Sequence, residues 1–189
     1  MKTRWALISL LLFLLLSFSV GLNVLQGKRL VQLAAGGGSA HGAKLIPGAR
    51  VADVHAHNLS GSNVTLTFPL KSARPIILYV FSPICGWCER NAENINSLVS
   101  QTADRYDFIG LSLSNEGVAD FLSRHHHAFS AYVELTSDTM SAYGLESTPE
   151  TFVISAEGKV LANWQGAYSG STRALVEEFF HIRLAASGG

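Results

Sequence analysis

The spacing of apolar residues predicts strands at three places in the chain. Residues 75–81 are an unbroken apolar run of strand length, which is typical of a strand covered on both faces in the middle of a parallel sheet. Residues 64–70 and 106–114 instead alternate between apolar and polar side chains, the period of a strand with one buried face. The three segments are therefore expected to belong to a β-sheet.

Helical spacing follows the apolar run and appears again further along. Beyond residue 85, apolar positions recur at intervals of four and three residues: Cys88, Ala92, Ile95 and Val99. Such intervals place the side chains on one face of a helix. Residues 118–127 and 138–143 are also predicted to be helical. The second of these ends at Gly144, a residue type favoured just after the last helical turn.

The last part of the chain is predicted to form a hairpin and a helix. Residues 151–154 and 159–164 have strand character and flank the turn sequence Glu157-Gly158. Ser171 is a suitable N-cap for a final helix. Three apolar residues of that helix are expected to face the core: Leu175, Phe179 and Ile182. The order of elements predicts an α/β fold whose sheet has parallel strands and an antiparallel hairpin at its edge.

An uncharged segment near the N-terminus determines the cellular compartment in which we expect the rest of the chain to lie. Residues 5–25 carry no charge and are rich in Leu, Ile and Phe, and about 20 apolar residues suffice to span a membrane as a helix. A cleaved signal peptide is the alternative, because residues 6–20 are short enough for one and Ser19-Val20-Gly21 is an acceptable cleavage site. Both interpretations place the rest of the chain outside the cytoplasm, in the periplasm or another extracytoplasmic space.

Composition completes the expected organisation. We expect residues 1–27 to be a membrane anchor or signal segment, 28–47 a flexible Gly/Ala-rich linker, 48–185 a folded domain and 186–189 a disordered tail. A hydrophobic content of 48% excludes an intrinsically disordered chain. The 14 basic and 14 acidic residues cancel, so no basic field predicts binding to nucleic acid.

Two cysteines carry the expected chemistry. Cys85 and Cys88 directly follow the apolar strand and open the next helix, an arrangement typical of a thioredoxin-like redox site. The helix N-terminus lowers the pKa of a thiol placed there and favours the nucleophilic thiolate. The second thiol lies one turn away, where it can resolve a mixed disulfide. Cys85 is therefore predicted to be the exposed attacking thiol and Cys88 the buried resolving thiol.

Other interpretations of these residues remain open. A Cys-x-x-Cys is also half of a zinc site, but the chain has no second cysteine pair. A structural disulfide is compatible with an exported protein, although a bridge that closes so short a loop stabilises little. The tract His125-His126-His127 could bind a metal, but consecutive residues on a helix point in different directions. We expect no metal site and no cofactor.

Two motifs taken together resemble a known family. Cys85-Gly86-Trp87-Cys88, followed by Ser-Thr-Pro-Glu-Thr-Phe-Val-Ile at residues 147–154, resembles the membrane-anchored thioredoxin-like proteins of the TlpA, ResA and cytochrome c-maturation group. The resemblance implies a thioredoxin fold, with a central mixed sheet flanked by helices, preceded by one N-terminal transmembrane helix. It also implies that a cis peptide bond precedes Pro149, which lies against the cysteines and presents the Thr148 backbone to a bound peptide. Trp87 is expected to be exposed and to contact clients.

Three positions depart from the pattern of that family. Tyr79 occupies the place of the buried aspartate that thioredoxin has six residues before its first cysteine, and a tyrosine with a pKa of about 10 is a poor proton relay. Asn91 replaces a glutamate common in the ResA-like group, and Glu93 replaces a proline that commonly kinks the helix. Glu89 and Glu93 are candidate substitutes for the missing acid, although both are expected to be solvated side chains.

The sequence predicts an extracytoplasmic thiol–disulfide oxidoreductase. The resemblance implies that it reduces protein clients through Cys85 and Cys88 and receives electrons from a membrane or thioredoxin-type donor. A disulfide oxidant or isomerase is the chemical alternative, because sequence does not fix the reduction potential. A non-catalytic binding or chaperone module is the alternative from another class. A peroxiredoxin is disfavoured, because Leu78 stands where the peroxidatic motif requires proline.

Overall fold

The computed structural model describes residues 45–185. The strands in this part of the chain are β1 (Val54–Asn58), β2 (Asn63–Leu66), β3 (Ile76–Phe81), β4 (Asp107–Ser112), β5 (Ser130–Val133), β6 (Glu150–Ile154) and β7 (Val160–Gln165). The helices are α1 (Gly86–Thr102), α2 (Val118–Arg124), α3 (Ser137–Tyr143) and α4 (Gly170–Phe180). The predicted membrane anchor, residues 28–44 of the predicted linker and the predicted tail lie outside the described residues.

The strands form one mixed sheet in the order β2-β1-β5-β4-β3-β6-β7. The pairs β3–β4 and β4–β5 are parallel, and the remaining pairs are antiparallel. This confirms the predicted α/β class, a central mixed sheet flanked by helices, with the β6–β7 hairpin at one edge. Within residues 45–185, no helix combines the length and the apolar character needed to cross a membrane.

β3 lies in the interior of the sheet, between β4 and β6, and all of its residues are buried. Because side chains of a strand alternate between its two faces, β3 contributes to two hydrophobic clusters. Tyr79 packs in one cluster with Cys88 of α1 and Phe180 of α4, and Leu78 packs in the other with Tyr143 of α3. The apolar run is covered on both faces, as predicted, and Tyr79 lies on the face covered by α1.

Two helix ends differ from the prediction. α2 ends at Arg124, and His126 beyond it has a φ of 55°, a left-handed conformation that a helix cannot continue through. α4 begins at Gly170 with Ser169 in the N-cap position. Ser171 therefore lies inside α4 and does not cap it.

The core-facing side of α4 was predicted only in part, since Phe179 packs against the cluster that contains Tyr79 but Leu175 does not. Leu175 is 53% exposed, whereas Val176 and Phe180 are fully buried. These two residues are four apart and so lie on the same face of the helix. Ile182 is buried but lies beyond the end of α4, because His181 adopts a φ of 55° and turns the chain away from the helix. Ile182 therefore does not share a helical face with Leu175, although the spacing of the two residues in the sequence suggested that it would.

Candidate active site

Cys85 occupies the N-cap position of α1, immediately beyond the loop that leaves the centre of the sheet. The backbone N–H of Cys88 donates to Cys85 Sγ at 3.3 Å. This contact satisfies one of the backbone N–H groups that have no partner within the first turn of a helix. Cys85 is partly exposed, Cys88 is fully buried, and both are free thiols.

The two thiols have pKa values displaced in opposite directions. Partial burial acts to raise the pKa of Cys85, but hydrogen bonds from Cys88, from Thr148 and from the backbone N–H of Trp87 together lower it below its ordinary value. Burial, together with the hydrogen bond to Cys85, raises the pKa of Cys88 to about 12. The arrangement makes Cys85 the more readily ionised of the two thiols and keeps Cys88 protonated at neutral pH.

The segment before β6 lies against these thiols. The Thr148–Pro149 peptide bond is cis, and the Cys85 thiol donates to the Thr148 carbonyl oxygen at 3.4 Å. Trp87 is 54% exposed, and the Arg90 guanidinium lies 3.9 Å from the centre of its ring. The structure thus brings together the residues predicted for the site: Cys85, Trp87, Cys88, Thr148 and Pro149.

A shallow cleft of about 280 Å³ adjoins the thiols. Trp87 forms one part of its lining, Thr148 and Pro149 form another, and the rest comes from the end of β7 and the start of α4: Gln165, Gly166, Ala167, Ser169 and Thr172. Because the Thr148 carbonyl oxygen accepts from the Cys85 thiol, the cleft lies next to Cys85.

Tyr79 lies beneath the thiols, where its sequence position predicted the missing acid to be. Its side chain is 1% exposed and stacks on Phe81 with the ring centres 5.7 Å apart. Burial raises the pKa of Tyr79 well above its ordinary value, and the neighbouring Cys88 raises it further. The phenol is therefore protonated throughout the physiological range and cannot accept a proton from Cys88.

The two acidic candidates on α1 lie on its solvent side. Glu89 and Glu93 are both exposed. Glu89 is engaged by His125 Nε2 at 3.0 Å and by the Arg124 guanidinium at 3.4 Å. Glu89 thus joins α1 to the end of α2, as a solvated side chain of the kind expected.

The histidine tract lies beyond the end of α2 and is not helical, contrary to the sequence interpretation. His127 Nδ1 lies 2.6 Å from Asn96 Oδ1, and its ring packs against Phe129. Burial, together with the neighbouring His125, lowers the pKa of His127 to about 4. Within residues 45–185, no three His, Cys, Asp or Glu side chains are arranged to hold a metal ion.

A buried polar network beside Cys88 escaped the sequence interpretation. Asn91 Oδ1 accepts from the backbone N–H of Tyr168 at 2.9 Å and from Asn94 Nδ2 at 3.2 Å. The Tyr168 hydroxyl lies 2.6 Å from the Thr151 hydroxyl. One signal was present in the sequence, because Asn91 and Asn94 share the apolar face of α1, where unpartnered amides would be costly.

Several solved structures share this fold. A protein from Chlorobium tepidum described as the thiol:disulfide interchange protein DsbE is 20% identical, with a TM-score of 0.61 over 73% of this chain and 98% of that chain. The thioredoxin domain of a Bacteroides vulgatus thiol-disulfide oxidoreductase is 17% identical, with a TM-score of 0.59 over 72% and 99% of the two chains. A peroxiredoxin-like protein from Aquifex aeolicus is 15% identical, with a TM-score of 0.57 over 73% and 90%. At these identities the likeness establishes a thioredoxin-like fold.

The family assignment comes from sequence. No curated protein matches the chain at a significant level. The model of the family described as Redoxin matches residues 43–177. That range contains the cysteine pair, the cis-proline segment and every strand of the sheet. The chain belongs to the Redoxin family of thioredoxin-like oxidoreductases.

Proposed function

We propose that this protein reduces disulfide bonds of client proteins through Cys85 and Cys88. The observation that carries the proposal is the placement of two free thiols within one helical turn, with Cys85 partly exposed at the N-cap of α1 and Cys88 buried behind it. The lowered pKa of Cys85 supplies a nucleophilic thiolate at the surface. The raised pKa of Cys88 keeps the second thiol protonated until a mixed disulfide has formed.

The proposed reaction has two exchange steps. The Cys85 thiolate attacks one sulfur of the client disulfide, and the other client sulfur leaves as a thiolate that takes a proton from solvent. Cys88 then loses its proton to solvent and attacks Cys85 Sγ. This forms the Cys85–Cys88 disulfide and breaks the bond to the client, whose second sulfur leaves and is protonated. The client gains two electrons and the protein dithiol loses two, which a dithiol donor must restore.

The surface around Cys85 suits an extended apolar peptide. Ile84 is 90% exposed and Trp87 is 54% exposed, on either side of the attacking sulfur. The cleft lined by Trp87, Thr148 and Pro149 lies next to them. We infer that a client strand lies along the Thr148 backbone by β-strand addition, with an apolar side chain against Trp87.

The proposed location is extracytoplasmic. Its support is the uncharged apolar segment at residues 5–25, which is long enough for a membrane-spanning helix or contains a signal peptide. A membrane-anchored domain of this kind would receive electrons from a membrane-bound or thioredoxin-type donor.

The proposal predicts that Cys88→Ser traps clients as mixed disulfides. The variant retains the attacking thiol but lacks the thiol that releases the client. Membranes containing the full-length variant should show adducts on non-reducing gels, and mass spectrometry should locate the link at Cys85.

The reciprocal variant Cys85→Ser is the matched control and should form no adducts. Adducts through Cys88 alone would reverse the assigned roles of the two thiols. The absence of adducts from both variants would instead support a non-catalytic binding module.

A further inference from the structure

Two polar atoms beneath the resolving thiol have no hydrogen-bond partner. They are Tyr79 Oη and Asn91 Nδ2, on residues that are 1% and 0% exposed. Buried polar groups are nearly always satisfied, so each exception requires an explanation. Both atoms lie on the α1 side of the sheet, which is the side on which Cys88 is buried.

The orientation of the Asn91 amide is fixed by its neighbours. Its Oδ1 accepts from the backbone N–H of Tyr168 at 2.9 Å, and a backbone N–H can only donate. The oxygen must therefore face Tyr168, and the amide nitrogen must lie on the other side. That side faces Tyr79, since the Asn91 side chain acts to lower the pKa of the Tyr79 phenol, although no hydrogen bond joins the two groups in the dithiol form.

Tyr79 in turn meets Cys88. The two residues pack in the same buried cluster, and Cys88 adds to the effect of burial in raising the pKa of the Tyr79 phenol. The other titratable groups near this pair are Cys85 on α1 and Tyr168 before α4. Burial raises the pKa of Tyr168 as well, so it stays protonated.

We propose that Asn91 and Tyr79 form a directed chain of hydrogen-bond donors that stabilises the Cys88 thiolate while it attacks the mixed disulfide. The Asn91 N–H donates to Tyr79 Oη, and the Tyr79 O–H donates to Cys88 Sγ. The inference rests on the proposed function of the two thiols. Tyr79 contacts a reacting atom and is a catalytic residue, whereas Asn91 acts through Tyr79 and is a positioning residue.

This arrangement explains why the two polar atoms lack partners in the dithiol form. A neutral thiol is a weak acceptor, whereas a thiolate accepts charge-assisted hydrogen bonds of roughly twice the usual strength. When Cys88 loses its proton, the Tyr79 O–H is drawn to the sulfur and the lone pairs of its oxygen turn toward Asn91 Nδ2, so both donors gain partners. That proton goes to solvent, because Tyr79 already holds its own.

The test uses Ellman's reagent, a small aromatic disulfide, on the reduced full-length chain. Cys85 attacks the reagent and releases one coloured thionitrobenzoate. Cys88 then attacks the mixed disulfide and releases the second, at a rate that does not depend on reagent concentration. In Tyr79→Phe, which keeps the ring stacked on Phe81, the first phase should be unchanged. The second should slow about tenfold, the effect of losing a hydrogen bond to a charged group.

The pH dependence separates this role from a structural one. Below the pKa of Cys88, the rate of the second phase rises with the fraction of Cys88 that is thiolate. Tyr79→Phe should therefore shift the pH profile of this rate by about one pH unit toward higher pH. The variant should melt no lower than the wild type, because it removes a buried hydroxyl without a partner. Tyr143→Phe is the matched control. Its hydroxyl donates to Ala52 O at 2.6 Å in the other hydrophobic cluster, so both phases should be unchanged.

Identical second phases in Tyr79→Phe and the wild type would overturn the inference, as would slowing of both phases together. The proposed function fails differently. A wild-type chain that releases only one thionitrobenzoate, or that releases both but reduces no protein disulfide, contradicts the proposed function. If the chain releases both thionitrobenzoates but reduces no protein disulfide, the comparison of Tyr79→Phe with the wild type still tests the inference, because Ellman's reagent is not a protein.

Discussion

A Cys85→Ser variant is expected to lose all catalysed reduction of insulin disulfides. A serine hydroxyl is not ionised at neutral pH and cannot form the mixed disulfide on which the reaction depends. Cys88 cannot take over the attack, because it is fully buried and burial raises its pKa to about 12. The assay follows insulin precipitation with a dithiol as the electron donor, and the variant should match the rate without protein.

The loss should not reflect unfolding. Cys85 caps α1 by accepting the Cys88 N–H, and serine is itself a preferred N-cap residue. The variant should therefore melt close to the wild type. Activity that remains unchanged in a folded Cys85→Ser protein would end the redox interpretation of the site.

Tyr79→Asp is expected to accelerate client release while it destabilises the fold. A carboxylate beneath Cys88 can take the proton that Tyr79 cannot, and this base should outweigh the lost phenol donor, so the mixed disulfide at Cys85 should resolve faster at about pH 6–7. The same carboxyl is placed in a strand that is buried on both faces, which costs several kcal/mol when it is charged. Stopped-flow fluorescence of Trp87 follows the release, and thermal unfolding follows the stability.

The stability of this variant should depend on pH with a definite sign. Desolvation raises the pKa of the new carboxyl in the folded state above its unfolded value of about 3.9. The folded state then binds the proton more tightly, so stability is retained at low pH and lost as pH rises through the raised pKa. Tyr79→Phe, which cannot ionise, is the control and should lack this loss. Equal pH–rate profiles for Tyr79→Asp and the wild type would show that residue 79 does not contact the resolving thiol.

The sequence predicted the centre of the fold well because burial there leaves a strong pattern. The apolar run at 75–81 became β3 (Ile76–Phe81), and the turn at Glu157-Gly158 joined β6 and β7. β5 (Ser130–Val133) was missed because four residues are too few to show a period, and its neighbours β4 and β1 lie far away in the sequence.

In the active site as well, some features could be predicted from the sequence and others could not. The cysteine pair and the Thr148–Pro149 segment were predictable from local motifs, and the structure brings them together. The proposed chain of hydrogen-bond donors could not be predicted from the sequence. It depends on which atoms of Tyr79, Asn91 and Tyr168 meet, and these residues lie on separate parts of the fold. Sequence identified Tyr79 and Asn91 as departures from a family pattern, but only the packing shows that the two residues face each other.

The reduction potential of the Cys85–Cys88 pair tests the central claim most directly. A dithiol is a strong oxidant when its reduced form is stabilised as a thiolate. Here the pKa of one thiol is lowered only by neutral hydrogen bonds, and the pKa of the other is raised by burial. Equilibration of the full-length chain with a dithiol redox buffer should therefore give a potential below about −200 mV, in the range of reducing thioredoxin-like proteins. A potential near about −120 mV, the value of a disulfide-forming oxidant, would contradict the account.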